Sequence, residues 1–143
     1  MRKVAVSTEK APAPIGPYSQ AVLHDGKYTL NLSGQIGIDP KTGKLVSGIE
    51  AQTRQALENV GGILSAVGWG YENVTSVTVY LVDMKDYPTV NRLYERMFSD
   101  TKPARAVVGV SSLPLGALVE IQCEAAGDTV PRRLLETPVM NNA

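Results

Sequence analysis

The amino-acid sequence predicts an α+β fold in which two helices pack on one face of a mixed β-sheet. Two segments carry apolar residues at the helical spacing, and several others alternate or are rich in β-branched residues, as strands do. They follow one another as strands, helix, strand, helix and two strands, the order of a two-layer sandwich. The composition, 43% hydrophobic and 20% charged over 143 residues, is that of an ordinary globular domain.

The first part of the chain is predicted to form short strands joined by turns. Val4–Ser7 alternates like a strand, and a Pro/Gly-rich connector follows it. An Asp-Gly pair at 25–26 separates Gln20–Leu23 from Tyr28–Ser33, and because type I′ turns favour this pair we expect a β-hairpin. Gly34 then interrupts the strand pattern, which indicates a bulge or a close approach of the backbone to another group.

The first helix is indicated by apolar residues at i, i+4, i+7, i+8 and i+11 between Ala56 and Val67. Ser47 and Glu50 have the spacing of a capping box at its start. Gly61-Gly62 lies inside it, and each glycine costs the helix about 1 kcal/mol relative to alanine. We expect tight packing against the sheet at these glycines.

The second helix is predicted over about Pro88–Phe98, with Asp86 as its N-cap. Strands are predicted at Val74–Val82 before it, and at about Ala104–Val110 and Leu118–Ala126 after it. With both helices on one face of the sheet, the other face also carries apolar residues, and we expect a homo-oligomer to bury it.

One domain, residues 1–127, is expected to precede a poorly ordered tail, residues 128–143. Fourteen basic and fourteen acidic residues give a net charge of zero, so nucleic acid and anionic membranes are not expected partners. No apolar run approaches the roughly 18 residues needed to span a bilayer. Since the N-terminus resembles neither a signal nor a transit peptide, we expect a cytoplasmic protein.

Elimination removes several kinds of chemistry. His24 is the one histidine and lies beside a predicted turn, so we expect it to be solvated. Cys123 is the one cysteine and alternates with apolar residues, which favours a buried, inert thiol over a nucleophile. A Ser-His or Cys-His dyad would have to use His24, and a metal site would have no second imidazole, so no metal is expected.

Charged residues inside the last two strands remain. Arg105 shares a strand face with Val107, and Glu120 shares one with Gln122. If these strands pair as a hairpin, Arg105 lies opposite Glu120. Two interpretations are then open. The pair is a cross-strand salt bridge worth a few tenths to ~1 kcal/mol, or it is a carboxylate-binding arginine beside a glutamate that orients water or shuttles a proton.

Six ordered motifs between about Thr8 and Ala126 resemble the reactive-intermediate deaminase family, also called RidA or YjgF. They are APAPIGPYSQAV, LSGQIGIDPKTGKL, QTRQALENV, VTVYLVDMKDYPTVNRLYERMF, PARAVVGVSSLP and GALVEIQCEA. The resemblance implies a chorismate-mutase-like fold and a homotrimer whose sheets form a central barrel, with clefts between subunits. It also implies hydrolysis of enamine/imine intermediates (2-aminoacrylate/2-iminopropanoate and 2-iminobutanoate) to 2-keto acids and ammonia, without a cofactor.

The resemblance also assigns site residues, position by position. Arg105 is implied to bind the substrate carboxylate, and Glu120 to lie near the attacking water. The other positions implied to form the substrate-binding cleft are Tyr18, Ser33, Gly34 and Asn91.

The sequence departs from the family pattern at Val107, where some members have cysteine, at Leu115, where the loop is often basic, and at Gln122, where a second glutamate is common. Substrate preference is therefore left open. Other functions remain as alternatives: a non-catalytic sensor of 2-keto acids, or an RNA- or translation-related member. Zero net charge and a lone histidine weigh against RNA cleavage. Chorismate mutase chemistry would need several cationic groups, and Arg105 alone is evident.

Overall fold

The computed structural model describes residues 1–140, which form eight β-strands and three α-helices. The strands are β1 (Lys3–Val6), β2 (Ala21–His24), β3 (Tyr28–Asn31), β4 (Ile38–Asp39), β5 (Lys44–Leu45), β6 (Val74–Leu81), β7 (Ala104–Gly109) and β8 (Val119–Gly127). The helices are α1 (Ile49–Ala66), α2 (Tyr87–Phe98) and α3 (Arg132–Leu135). The described chain therefore follows the α+β order that the sequence predicts.

The main sheet has four strands in the order β3-β8-β6-β7. β8 runs antiparallel to both β3 and β6, whereas β7 runs parallel to β6. Parallel neighbours need a crossover connection, and α2 supplies it between β6 and β7. The prediction of a mixed sheet is confirmed.

The pairing predicted for the last two strands is wrong, because β6 lies between β7 and β8. Arg105 is in register with Val77 of β6, and Glu120 with Tyr80. Arg105 and Glu120 are therefore not cross-strand neighbours. The predicted hairpin fails because β7 is the second strand of a strand–helix–strand unit, and such a strand pairs with the first.

The hairpin predicted around Asp25 is also wrong. β2 pairs with β1, so that Val4 lies opposite Leu23, and β3 pairs with β8 instead. Asp25 accepts hydrogen bonds from Arg2, at 2.6 Å from its backbone nitrogen and 2.8 Å from its Nε. Contacts with a distant segment, rather than the local turn preference, determine where this chain reverses.

Both long helices lie on the same face of the main sheet, as predicted. α1 packs against β8 and α2, and the core fills the space between helices and sheet. Its fully enclosed members include Leu57, Val60, Leu64, Val77, Val79, Leu81, Leu93, Tyr94, Phe98, Val119, Ile121 and Cys123. Alternate residues of a strand point to opposite sides of the sheet. The strand residues that enter this core therefore show which side chains lie on the opposite face.

The opposite face of the sheet is open and largely polar. Strand alternation and the observed register place these side chains on it: Ser76, Thr78, Tyr80, Glu120, Gln122 and Glu124. The apolar residues expected there lie on the edge strand β7, where Ala106 and Val108 are exposed. The open face of one chain thus has apolar residues along its β7 edge and carboxylates on β8.

The capping box predicted for α1 is wrong. The helix begins at Ile49 after Gly48, whose φ of 89° is open to glycine, and no side chain caps it. Glu50 instead pairs with Arg54 one turn later, at 2.7 Å. Asp86 does occupy the N-cap position of α2, but its side chain makes no capping hydrogen bond. No helix within residues 1–140 is long and apolar enough to cross a membrane.

The predicted tail, 128–143, begins with residues that contact the domain. The indole nitrogen of Trp69 donates to the Thr129 carbonyl at 2.8 Å, and Arg133 Nη2 donates to the Ala66 carbonyl at 2.6 Å, at the end of α1. Residues 141–143 lie outside the described residues. The division of the chain between 127 and 128 stays a prediction.

The adjacent glycines of α1 allow a matched test of packing. A Cβ added to Gly61 would lie 2.5 Å from the Tyr71 hydroxyl, which donates to the Leu57 carbonyl, whereas one added to Gly62 meets nothing within 4 Å. We expect Gly62→Ala to raise the free energy of unfolding by about 0.5–1 kcal/mol through helix propensity. Gly61→Ala should lower it by about 1–2 kcal/mol, because the Tyr71 ring has to move.

Urea denaturation of both variants and the wild type checks this, provided that the m-values agree. Equal shifts for the two glycines would show that the Gly61–Tyr71 contact is not a packing constraint.

Candidate active site

The guanidinium of Arg105 is held by two neutral acceptors on α2. Arg105 shares its sheet face with Val77, which is buried under the helices, so its side chain lies on the helix-covered side at the edge of the core. Arg105 Nη1 donates to the Asn91 Oδ1 at 2.8 Å, and Nη2 donates to the Tyr87 hydroxyl at 3.0 Å. Tyr87 and Asn91 are one turn apart and therefore lie on the same side of α2.

Aromatic rings surround the same guanidinium. Its carbon lies 4.7 Å from the ring centre of Tyr94, 5.2 Å from that of Tyr18 and 5.8 Å from that of Tyr87. Rings at this range attract a cation through their quadrupoles. Burial raises the pKa of Tyr94 and the Arg105 charge lowers it, with burial the larger effect, so Tyr94 presents a neutral ring.

The backbone also comes close to this cation. A Cβ added to Gly16 would lie 3.0 Å from Arg105 Nη2. Gly16 and Tyr18 belong to the Pro/Gly-rich connector before β2, which therefore closes one side of the arginine. A residue with a side chain at position 16 would crowd the nitrogen that Tyr87 binds.

Within residues 1–140, no carboxylate pairs with Arg105. None of the ion pairs within residues 1–140 involves Arg105 or Glu120, so the salt-bridge interpretation of these two residues is wrong. A guanidinium has five N–H donors, and the described side chains use two of those on Arg105. The half-buried cation retains the donors that an incoming anion would need.

Glu120 lies in a second cluster, on the open face. A Cβ added to Gly34 would lie 2.8 Å from the Glu120 carboxyl carbon. Gln35 exchanges backbone hydrogen bonds with Ile121, at 2.8 and 2.9 Å, which keeps the segment 33–35 alongside β8. The close approach expected at Gly34 is thus an approach to Glu120, and the exposed Ser33 adjoins it.

Within one chain the two clusters are separate. Arg105 and Glu120 lie two strands apart and three residues out of register, which puts their Cα atoms about 14 Å apart. They also point to opposite faces of the sheet. The six predicted residues therefore form two groups. Tyr18 and Asn91 accompany Arg105; Ser33 and Gly34 accompany Glu120.

Sequence reasoning missed Tyr87, Tyr94 and Gly16 as neighbours of Arg105. Tyr94 lies on the buried side of α2, where its ring packs in the core and also faces the Arg105 cation. Tyr87 had a usable signal, since it precedes the predicted site residue Asn91 by one helical turn. Gly16 had none beyond its place in a Pro/Gly-rich connector.

The positions that depart from the family pattern lie on both sides of the sheet. Val107 is half-buried beside Arg105 and packs against the core. Gln122 is exposed on the open face and accepts from the Tyr80 hydroxyl at 3.4 Å. Leu115 is 72% exposed, in a turn where its φ is 57°.

Neither Cys123 nor His24 makes a side-chain hydrogen bond to a residue of either cluster within residues 1–140. Cys123 is buried, as predicted, and burial raises its pKa to about 12. His24 is half-buried at the end of β2, where its Nδ1 accepts from the Gly26 nitrogen at 3.2 Å. In the described part of the chain no three His, Cys, Asp or Glu side chains lie close enough together to hold a metal ion.

The fold and the surroundings of Arg105 define a class of protein, a small α+β domain with a half-buried guanidinium that has neutral hydrogen-bond partners. Comparison with protein families identifies the family. The model described as Endoribonuclease L-PSP matches residues 8–127. The chain belongs to this family, which is the RidA/YjgF family that its motifs predict.

Individual relatives match most of the chain. A RutC family protein from Pyrococcus horikoshii is 51% identical over 124 residues, 86% of this chain and 97% of that protein. The 2-iminobutanoate/2-iminopropanoate deaminase of Mus musculus is 50% identical over 126 residues, 87% of this chain and 91% of that protein. The crystal structure of the YjgF gene product from E. coli aligns with a TM-score of 0.65 at 39% identity, over 86% of this chain and 98% of that chain.

The raised pKa of Cys123 predicts an unreactive thiol. At pH 8 about one thiol in ten thousand would be ionised, and the thiolate is the form that alkylating reagents attack. We expect iodoacetamide to leave the native protein unlabelled over a time in which the protein in 6 M guanidinium is fully labelled, as measured by intact mass. Rapid labelling of the native protein at pH 8 would contradict a buried, protonated Cys123.

Proposed function

We propose that this chain hydrolyses 2-imino acids, with 2-iminobutanoate and 2-iminopropanoate as substrates, to the corresponding 2-keto acids and ammonia. Mammalian relatives at about 50% identity bear the name of this activity. The observation that carries the proposal is Arg105, a half-buried guanidinium held by neutral groups and lacking an acidic partner in residues 1–140. Such a group suits the carboxylate that every 2-imino acid contains.

Arginine meets the geometric demand of this substrate. A carboxylate binds two N–H groups of a guanidinium at once, which fixes the direction of the rest of the molecule. The rings of Tyr18, Tyr87 and Tyr94 limit the solvent around the cation, and reduced solvent strengthens its attraction for an anion. In this proposal Asn91 holds the guanidinium through its hydrogen bond, and the Tyr18 ring shields it from solvent.

The reaction consumes one water. Water adds to the electrophilic imine carbon and gives a tetrahedral carbinolamine, which loses ammonia as the carbonyl forms. We propose that Glu120 orients this water, accepts its proton and returns a proton to the departing nitrogen. Gly34 and Ser33 would line the other side of the substrate, next to that carboxylate. Orientation of substrate and water supplies much of the rate enhancement.

An interface explains how two separate clusters would act on one small molecule. The carboxylate and the imine carbon of the substrate are bonded to each other, whereas Arg105 and Glu120 of one chain lie about 14 Å apart on opposite faces. We therefore propose a homotrimer with a chorismate-mutase-like barrel core, in which Arg105 of one subunit and the partner subunit's Glu120 meet in a shared cleft. The partly apolar open face supports burial by a second copy.

Arg105→Lys tests the carboxylate role. Lysine keeps the positive charge but lacks the two parallel N–H donors of a guanidinium. We therefore expect kcat/KM for 2-iminobutanoate, generated in situ by a dehydratase, to fall about 100-fold. Formation of 2-oxobutanoate is the measurement, and Arg54→Lys on the exposed side of α1 is the matched control.

The alternatives predict other outcomes in the same assay. Tight binding of 2-oxobutanoate by a wild type that gives no acceleration would identify a keto-acid sensor. Full activity in Arg105→Lys would remove the arginine from the proposed mechanism.

Mixing two inactive variants tests the shared site. If each cleft combines Arg105 of one subunit with Glu120 of its neighbour, random trimers of Arg105→Ala and Glu120→Ala chains rebuild about one quarter of the clefts. We therefore expect co-refolded mixtures to recover about a quarter of the wild-type rate, while each variant alone stays inactive. No recovery in a mixture that forms mixed trimers, shown by native mass spectrometry, would refute an intersubunit site.

A further inference from the structure

Tyr87 provides the second of the two hydrogen bonds that hold Arg105. We infer that Tyr87 is a positioning residue for substrate recognition, whose hydroxyl fixes the plane of the guanidinium that binds the carboxylate. The inference rests on the proposed function and adds a specificity-determining residue to it.

Two contacts are needed to fix a planar group. With Nη1 bound to Asn91 alone, at 2.8 Å, the guanidinium could still rotate about that contact. The Tyr87 hydroxyl accepts from Nη2 at 3.0 Å and defines the second point. The N–H groups of Arg105 that remain unused are then held in a fixed orientation. A carboxylate needs two such aligned donors to bind in bidentate fashion.

The backbone of Tyr87 is well placed to hold its hydroxyl still. Tyr87 is the first residue of α2, after a 3-10 turn over Met84–Asp86. The Asp83 side chain caps that turn by accepting from the Lys85 nitrogen at 2.9 Å. Pro88 follows, and its ring fixes the backbone of the first helical turn. A rigid helix start thus carries one acceptor, and Asn91 carries the other one turn later.

The Tyr87 ring and hydroxyl act differently, which makes the hydroxyl separable by mutation. The ring is half-buried, packs against the core and lies 5.8 Å from the Arg105 cation. Tyr87→Phe keeps the ring and removes only the acceptor for Nη2. The fold should therefore persist in this variant, and Arg105 should keep its charge while losing its fixed orientation.

The experiment compares Tyr87→Phe with Tyr28→Phe, which removes a hydroxyl from β3 at the far edge of the sheet. Binding is measured by calorimetry for 2-oxobutanoate, which has the carboxylate, and for 2-oxobutanamide, which does not. We expect Tyr87→Phe to weaken 2-oxobutanoate binding about five-fold, the value of one ordinary hydrogen bond, and to leave the amide unchanged. KM for 2-iminobutanoate should rise by a similar factor and kcat should change less. Tyr28→Phe should match the wild type in all of these.

A double-mutant cycle shows whether Tyr87 acts through Arg105. In an Arg105→Ala background, adding Tyr87→Phe should change neither ligand's affinity further. Equal weakening of the carboxylate and the amide, or an unchanged KM, would overturn the inference while leaving the proposed function intact. A wild type that neither binds 2-oxobutanoate nor hydrolyses the imine would overturn both.

Discussion

The central position of β6 is the constraint on which the arrangement of the proposed site depends. α2 crosses from β6 to β7 and makes these two strands parallel neighbours, so β8 has to pair with the other edge of β6. Side chains alternate along each strand, and the observed register puts Arg105 under the helices and Glu120 on the open face. One chain therefore contains two separate clusters, one around Arg105 and one around Glu120, with the sheet between them.

The cluster around Arg105 is built into the core of the domain rather than added to its surface. One side of the Tyr94 ring faces the Arg105 guanidinium. The ring centres of Tyr94 and Phe98 are 4.5 Å apart, and those of Phe98 and Tyr71, which meet edge-on, are 5.6 Å apart. Tyr71 in turn donates to the Leu57 carbonyl in α1. An aromatic row thus joins the arginine to the packing of both helices. A charge half-buried in such a place is stabilised by rings and neutral acceptors, which leave it available to an external anion.

Periodicity predicted the elements well because burial imposes it. Both long helices and the strands β6, β7 and β8 lie within a few residues of their predicted bounds. Pairing was predicted badly, because alternation shows which residues share a face and does not show which strand is next to which. The order β6–α2–β7 was the available signal, since parallel strands joined by a helix are usually neighbours. At Asp25 the local turn preference was misleading, because Arg2, distant in sequence, binds that carboxylate.

The candidate site shows the same division between pattern and geometry. Arg105, Glu120 and Asn91 could be chosen from motifs, but strand alternation with an assumed hairpin placed the two charges opposite each other. In the sequence, the one signal for Tyr87 is its place one helical turn before Asn91, and the hydrogen bond that it accepts from Arg105 Nη2 shows its role.

Under the proposed function, this geometry separates binding from turnover. An isolated chain would keep the arginine, its tyrosines and Asn91, and hence the means to hold a carboxylate. It would lack a glutamate on the same side of the sheet, and hence the means to direct water at the imine carbon. Assembly would then do more than bury an open sheet face: it would bring the base to the anion site, and catalysis would depend on the oligomer even where ligand binding does not.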